Sequence, residues 1–150
     1  MPKGAEACRG TDCLQAAYVF GSVLTSDAPG DLERYRREVS RERILTEVDA
    51  QNMVLFALYR AVKYAIDLGQ HVIAERGLPV PAAYREVFRV LAEAGVVEPE
   101  LASRLEGWGG MRNVIAHQYG SLDYARVADA LHDEVGDLHA FAATMAALGT

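Results

Sequence analysis

The 150-residue sequence lacks the features of several large protein classes. It has two cysteines, Cys8 and Cys13, and their C-x4-C spacing has no second ligand pair, so we expect reduced thiols rather than a zinc site. No apolar run reaches the roughly 18 residues of a membrane span. The N-terminal segment has no continuous apolar stretch typical of a secretory signal. We therefore expect a cytoplasmic protein.

The sequence also lacks an excess of basic residues. It contains 21 Asp and Glu against 15 Lys and Arg, which gives a formal net charge of −6. A protein that binds nucleic acid through its whole surface is normally basic, so the composition argues against such a carrier. An enzyme that contacts a few phosphates through a local basic patch remains compatible with this charge.

The composition and the hydrophobic spacing predict helices. Proline is absent after Pro99, and apolar residues make up 51% of the chain, which is enough for one core. Apolar residues recur every three to four positions, and no segment alternates with the period of a strand. The predicted helices span 31–47 in two pieces, 50–76, 81–94, 99–119 and 124–147. We predict an irregular segment over 1–30, followed over 31–150 by an all-α, antiparallel up-and-down bundle of four main helices plus short helices.

Several local features make this prediction testable. Two apolar stripes over 50–76 indicate a helix that is buried on both sides, either at the centre of the bundle or partly in a dimer interface. Pro81 is expected at the first position of the next helix, with Tyr84 facing inward. The adjacent Gly109 and Gly110 indicate a kink or a close approach inside a helix. The predicted N-caps are Ser40 for the second piece of 31–47, and Asp123 or Ser121 for the last helix.

The stretch 112–119 concentrates polar side chains at the end of an otherwise apolar helix. Arg112 and Tyr119 are seven residues apart and share one face, whereas Asn113 and His117 are stacked neighbours at a spacing of four. Arginine offers a charged fork for phosphate oxygens, and histidine moves protons near neutral pH. This combination fits RNA cleavage without a metal or other cofactor, in which the 2′-hydroxyl of the RNA is the nucleophile.

The same stretch resembles a known family. Arg112-x4-His117 matches the R-x4-6-H signature of HEPN domains, and the longer R-x4-H-x-Y form that includes Tyr119 resembles the HepT branch. The resemblance covers roughly residues 40–147. It is carried, in order and spacing, by Ala65-Ile-Asp-Leu-Gly-Gln-His-Val-Ile-Ala, Tyr84-Arg-Glu-Val-Phe, Leu91-Ala-Glu-Ala-Gly-Val-Val and Gly110-Met-Arg-Asn-Val-Ile-Ala-His.

The resemblance implies a homodimeric ribonuclease toxin that acts on tRNA or mRNA, in which two copies of the motif face one cleft. Arg112 and His117 would be catalytic, with Asn113 and Asp67 in support. It also implies an MntA-like nucleotidyltransferase antitoxin that transfers AMP from ATP to Tyr119. An AMP group beside Arg112 would add bulk and negative charge to the phosphate site.

Other interpretations remain open at this stage. Arg112 and His117 alone also fit a polar pair that braces a helix end, and Asp67 also fits a local surface pair with His71. The whole chain fits a non-catalytic helical partner, or nucleotide-binding subunit, of a minimal nucleotidyltransferase. A basic cluster fits either a solvated helix face or a contact with RNA or antitoxin; it consists of Arg34, Arg36, Arg37, Arg41 and Arg43.

Overall fold

The computed structural model describes residues 31–117 and 119–148, and the regular elements in these ranges are helical. They are α1 (Asp31–Glu38), α2 (Arg41–Thr46), α3 (Val48–Glu75), α4 (Glu86–Glu93), α5 (Pro99–His117), a 3-10 turn (Tyr119–Ser121), α6 (Tyr124–Asp129), a π-helical turn (Ala130–Glu134) and α7 (Gly136–Leu148). The predicted all-α bundle is confirmed. The prediction for 1–30 lies outside the described residues.

Helix α3 lies at the centre of the bundle. Its 28 residues contact α1, α2, α4, α5 and α7, and apolar side chains on two of its faces are buried, as the two stripes predicted. Part of the N-terminal half stays open, since Phe56 is 62% exposed. None of the described helices is long and apolar enough to cross a membrane.

Helix ends follow the predicted caps. The Ser40 hydroxyl accepts a hydrogen bond from the Arg43 N–H at 3.2 Å, and Asp123, rather than Ser121, accepts from the Ala125 N–H at 3.0 Å. Such bonds satisfy N–H groups that have no partner within the helix. Gly77 follows the end of α3 with a φ of 63°, a conformation that side chains disfavour.

The prediction of a helix that starts at Pro81 is wrong, because α4 begins only at Glu86. Residues 82–85 instead form a turn, in which the Glu86 carboxylate accepts from the Ala82 N–H at 3.1 Å. The turn lies directly on α5: a Cβ atom at Gly109 would be 3.0 Å from the Arg85 Cα. The close approach expected at Gly109 is therefore confirmed, and it positions the turn that carries Tyr84.

The predicted helix over 124–147 is interrupted. A π-helical turn at Ala130–Glu134 separates α6 from α7. After this turn, Phe141 is fully buried, with its ring edge-on to Phe88 at a centroid distance of 5.4 Å.

Candidate active site

The C-terminal end of α5 runs beside the N-terminal half of α3. Arg112 on α5 contacts Tyr59 on α3, while Ile115 and Ala116 line a groove together with Asn52 and Phe56. The residue numbers fall on α3 as they rise on α5, so the two helices are antiparallel. The groove has a volume of about 510 Å³ and opens next to the polar motif.

Arg112 is partly buried where three chain segments meet. Its Cζ atom lies 4.4 Å from the ring centroid of Tyr84, on the turn before α4, and 5.4 Å from that of Tyr59. One terminal nitrogen, Nη1, donates to the Asn113 Oδ1 at 3.2 Å. Both distances are within the range of cation–π contacts, in which a cation is attracted to the face of an aromatic ring.

The contacts of Arg112 are electrically neutral. Many other arginines of the described chain pair with carboxylates: Arg36, Arg41, Arg43, Arg89, Arg104 and Arg126. No carboxylate among the described residues pairs with Arg112. Its positive charge is therefore not compensated by these neighbours, and an anion such as a phosphate is a favourable additional partner.

His117 is the last residue of α5, and its side chain is exposed. It follows Arg112 by five positions, which corresponds to about 140° around the helix and about 7.5 Å along it. The two side chains therefore leave α5 in different directions. Within one chain, Arg112 lies in the aromatic contact and His117 lies at the open end.

The other predicted site residues lie at different distances from Arg112 and its two aromatic neighbours. Asn113 is in direct contact with Arg112 through the hydrogen bond above. Asp67 lies eight residues beyond Tyr59 on α3, about 12 Å along the helix, and its carboxylate is 3.5 Å from the Lys63 Nζ. Its pairing partner is thus Lys63 rather than His71. Tyr119 begins the 3-10 turn that follows α5.

Tyr59 and Tyr84 are the site residues that sequence reasoning missed. Tyr84 was expected to face the core, but it is 47% exposed and covers Arg112. Tyr59 fell on neither predicted stripe of α3. The only signal for Tyr84 was its place in the Tyr84-Arg-Glu-Val-Phe segment of the family resemblance. Among the described residues, no group of three or more His, Cys, Asp or Glu side chains is arranged to hold a metal ion.

Comparison with known proteins assigns this helical bundle, with its polar helix end, to a family. The family model described as "Ribonuclease HepT-like" matches residues 26–145. Because the match covers most of the chain, the protein belongs to this family.

Individual relatives agree with that assignment. A protein of Archaeoglobus fulgidus, provisionally named as an RNase, is 30% identical over 102 residues, which are 67% of this chain and 76% of the relative. The mRNA nuclease HepT of Shewanella oneidensis is 26% identical over 91 residues, 61% of this chain and 68% of that protein. A solved structure of a tri-AMPylated Shewanella oneidensis HEPN toxin with MNT antitoxin superposes with a TM-score of 0.79 at 19% identity, over 92% of this chain and 98% of that one. At that identity the superposition supports the shared fold.

Proposed function

We propose that this protein is a metal-independent endoribonuclease that acts as the toxin of a toxin–antitoxin pair, with Arg112 and His117 as catalytic residues. The observation that carries the proposal is the uncompensated guanidinium of Arg112 beside an open groove, on the helix that ends at His117. The family assignment and the nuclease name of the Shewanella relative support the same activity.

The proposed reaction uses the substrate's own nucleophile. The ribose 2′-oxygen attacks the neighbouring phosphorus, the bond to the 5′-oxygen breaks, and a 2′,3′-cyclic phosphate and a free 5′-hydroxyl result. One imidazole removes the proton from the 2′-hydroxyl, and an imidazolium supplies one to the leaving 5′-oxygen. Arg112 stabilises the extra negative charge on the phosphorane in the transition state. Neither proton transfer requires a metal ion.

In a homodimer, a second copy of the chain would bring a histidine close to Arg112, which the histidine of the same chain does not approach. Because Arg112 and His117 leave α5 about 140° apart, one phosphate does not readily reach both side chains of the same copy. Two copies with their α5 ends at one cleft would place Arg112 of one copy near His117 of the other. We propose this arrangement for the active nuclease, with Asn113 holding Arg112. Asp67, about 12 Å along α3 from Tyr59, has at most an indirect supporting role.

Cleavage of RNA by the purified full-length chain tests the nuclease proposal. We expect the wild type to cut in the presence of EDTA, and His117→Ala to be slower by about 10²- to 10⁴-fold, the usual contribution of a general acid–base group. His139→Ala is the matched control, because His139 is also exposed but lies on α7, 3.5 Å from Glu33 of α1, and outside the motif. Equal cleavage by wild type and His117→Ala would remove the catalytic assignment.

We further propose that a MntA-like nucleotidyltransferase antitoxin neutralises the toxin at Tyr119. The Tyr119 hydroxyl would attack the α-phosphorus of ATP, taking up AMP and releasing pyrophosphate. Tyr119 lies two positions beyond the end of α5, so an AMP group there would add bulk and negative charge next to the motif and compete with RNA. The likeness to a tri-AMPylated HEPN toxin structure supports the proposal.

Mass spectrometry of the chain co-expressed with its genomic neighbour tests this step. We expect the mass of one or more AMP groups on the peptide that contains Tyr119, loss of cleavage in the modified protein, and no adduct at that position in Tyr119→Phe. Tyr124→Phe is the control, because Tyr124 lies five residues further along the chain in α6. A stable complex without RNA cleavage by either form would instead support a non-catalytic partner of a nucleotidyltransferase.

A further inference from the structure

The two tyrosines around Arg112 come from separate parts of the fold. Tyr59 lies on α3 and packs partly against the core, whereas Tyr84 lies on the turn that precedes α4. Their ring centroids are 5.4 Å and 4.4 Å from the Arg112 Cζ. Three segments that are distant in sequence thus meet at a single guanidinium.

The position of Tyr84 depends on specific contacts of its turn. The turn is closed by the hydrogen bond from the Ala82 N–H to the Glu86 carboxylate, and Arg85 rests on α5 where Gly109 has no side chain. Tyr84 itself is 47% exposed, so its burial contributes little to the core. The position of Tyr84 instead brings its ring into contact with Arg112.

The type of contact also matters for binding an anion. A carboxylate partner would fix an arginine but would neutralise it, as happens to Arg104 beside Asp137 at 2.8 Å. An aromatic ring contacts the flat face of a guanidinium and keeps the charge. The N–H groups lie along the edge of the group, so they stay able to donate to two oxygens of one phosphate.

We propose that Tyr59 and Tyr84 are positioning residues that hold the guanidinium of Arg112 between their rings and direct its N–H edge towards an RNA phosphodiester. The inference rests on the proposed nuclease function, because that function supplies the RNA. Neither tyrosine takes part in the chemistry. Both act through Arg112 by restricting its side-chain rotamers before the substrate arrives.

A double-mutant cycle on RNA binding tests this inference. The probe is a fluorescently labelled, mixed-sequence oligoribonucleotide with 2′-O-methyl sugars, which lacks the nucleophile and therefore reports binding without cleavage. The full-length variants are Tyr84→Leu, Tyr84→Phe, Arg112→Ala and Tyr84→Leu/Arg112→Ala. Tyr35→Leu is the control, because the Tyr35 ring also contacts an arginine, Arg34, at 5.1 Å but lies on α1. Thermal melts establish that each variant is folded.

We expect Tyr84→Leu to raise the Kd about five- to tenfold, the size of a partly desolvated cation–π contact. Tyr84→Phe should stay within about twofold of wild type because it keeps the ring, and Tyr35→Leu should bind like wild type. In the Arg112→Ala background, Tyr84→Leu should have no further effect.

Two results would overturn the inference. Tyr84→Leu could bind like wild type, or its loss could persist without Arg112, which would mean that Tyr84 contacts RNA by itself. The unmodified oligonucleotide of the same sequence separates this inference from the nuclease proposal. If wild type fails to cut it while the cycle behaves as expected, the nuclease proposal fails and the positioning role stands. If Arg112→Ala binds as tightly as wild type, the positioning inference fails, whereas the nuclease proposal is decided by the cleavage rates alone.

Discussion

The arginines of the α1–α2 rim and the arginine at the end of α5 show opposite ways of placing a positive charge. The rim, defined here as Arg36, Arg41 and Arg43, is part of the densest basic stretch of the sequence, yet each of these side chains pairs with a carboxylate. Arg112 is a single arginine, but its described neighbours are aromatic rings and an amide. Of these four arginines, only Arg112 lacks a carboxylate partner among the described residues, so its charge remains available to a phosphate. This favours the solvated-face interpretation of the rim.

Removal of one arginine from each region should give the largest difference in RNA cleavage between two variants. Arg112→Ala should lower kcat/KM for RNA cleavage by about 10²- to 10³-fold, the usual effect of losing one donor to transition-state charge. Arg41→Ala should leave cleavage within about twofold and lower the free energy of unfolding by at most about 1 kcal/mol, because its partners Asp129 and Asp133 are exposed. Initial rates and chemical denaturation measure both effects. Similar losses of activity in the two variants would contradict the comparison.

The two adjacent glycines of α5 allow the aromatic contact itself to be disturbed from a distance. A Cβ atom at Gly109 would lie 3.0 Å from the Arg85 Cα, whereas a Cβ atom at Gly110 meets nothing within 4 Å. Gly109→Ala should therefore displace the turn that carries Tyr84, lower the free energy of unfolding by about 1–3 kcal/mol and reduce cleavage. Gly110→Ala should raise stability by up to about 1 kcal/mol, because alanine favours a helix.

Denaturation with urea, together with RNA cleavage, separates the two glycine variants. Loss of activity in Gly109→Ala at a temperature where the protein stays folded would tie the turn to the function of Arg112. If Gly110→Ala loses as much stability as Gly109→Ala, helix geometry rather than contact with the turn is the reason for both glycines.

The sequence predicted those features of this site that depend on local chemistry. The apolar periodicity located the helix that carries Arg112 and His117, and the glycine pair indicated a close approach that the structure has at Gly109. Caps at Ser40 and Asp123 followed from residues whose side chains bond to nearby N–H groups. The caps involve partners two or three positions apart in the chain. The partner of Gly109 is the distant Arg85, and the sequence indicated only that a close approach was possible there, not what would approach.

Features that depend on distant partners were not predictable in the same way. Tyr84 has the hydropathy of a core residue at its position, and only the placement of the turn on α5 brings it over Arg112. The π-helical turn at Ala130–Glu134 was missed because apolar residues continue at three- to four-residue spacing through it.

The smallest expected effect comes from leaving a rim arginine without its carboxylate partners, as Arg112 is. The double substitution Asp129→Asn/Asp133→Asn removes both carboxylates that pair with Arg41, one of them at 2.6 Å, without removing the arginine. Because these carboxylates are exposed, the free energy of unfolding should fall by no more than about 1 kcal/mol.

Without its carboxylate partners, Arg41 should strengthen RNA binding about twofold at low salt, and the gain should disappear at high salt because exposed charges are screened. Cleavage rate and cut positions should not change, because Arg41 has neither the aromatic contacts nor a histidine at the end of its helix. A change in cut positions in this variant would show that the rim helps to present RNA to Arg112. It would also show that an uncompensated charge is enough to make the rim bind RNA.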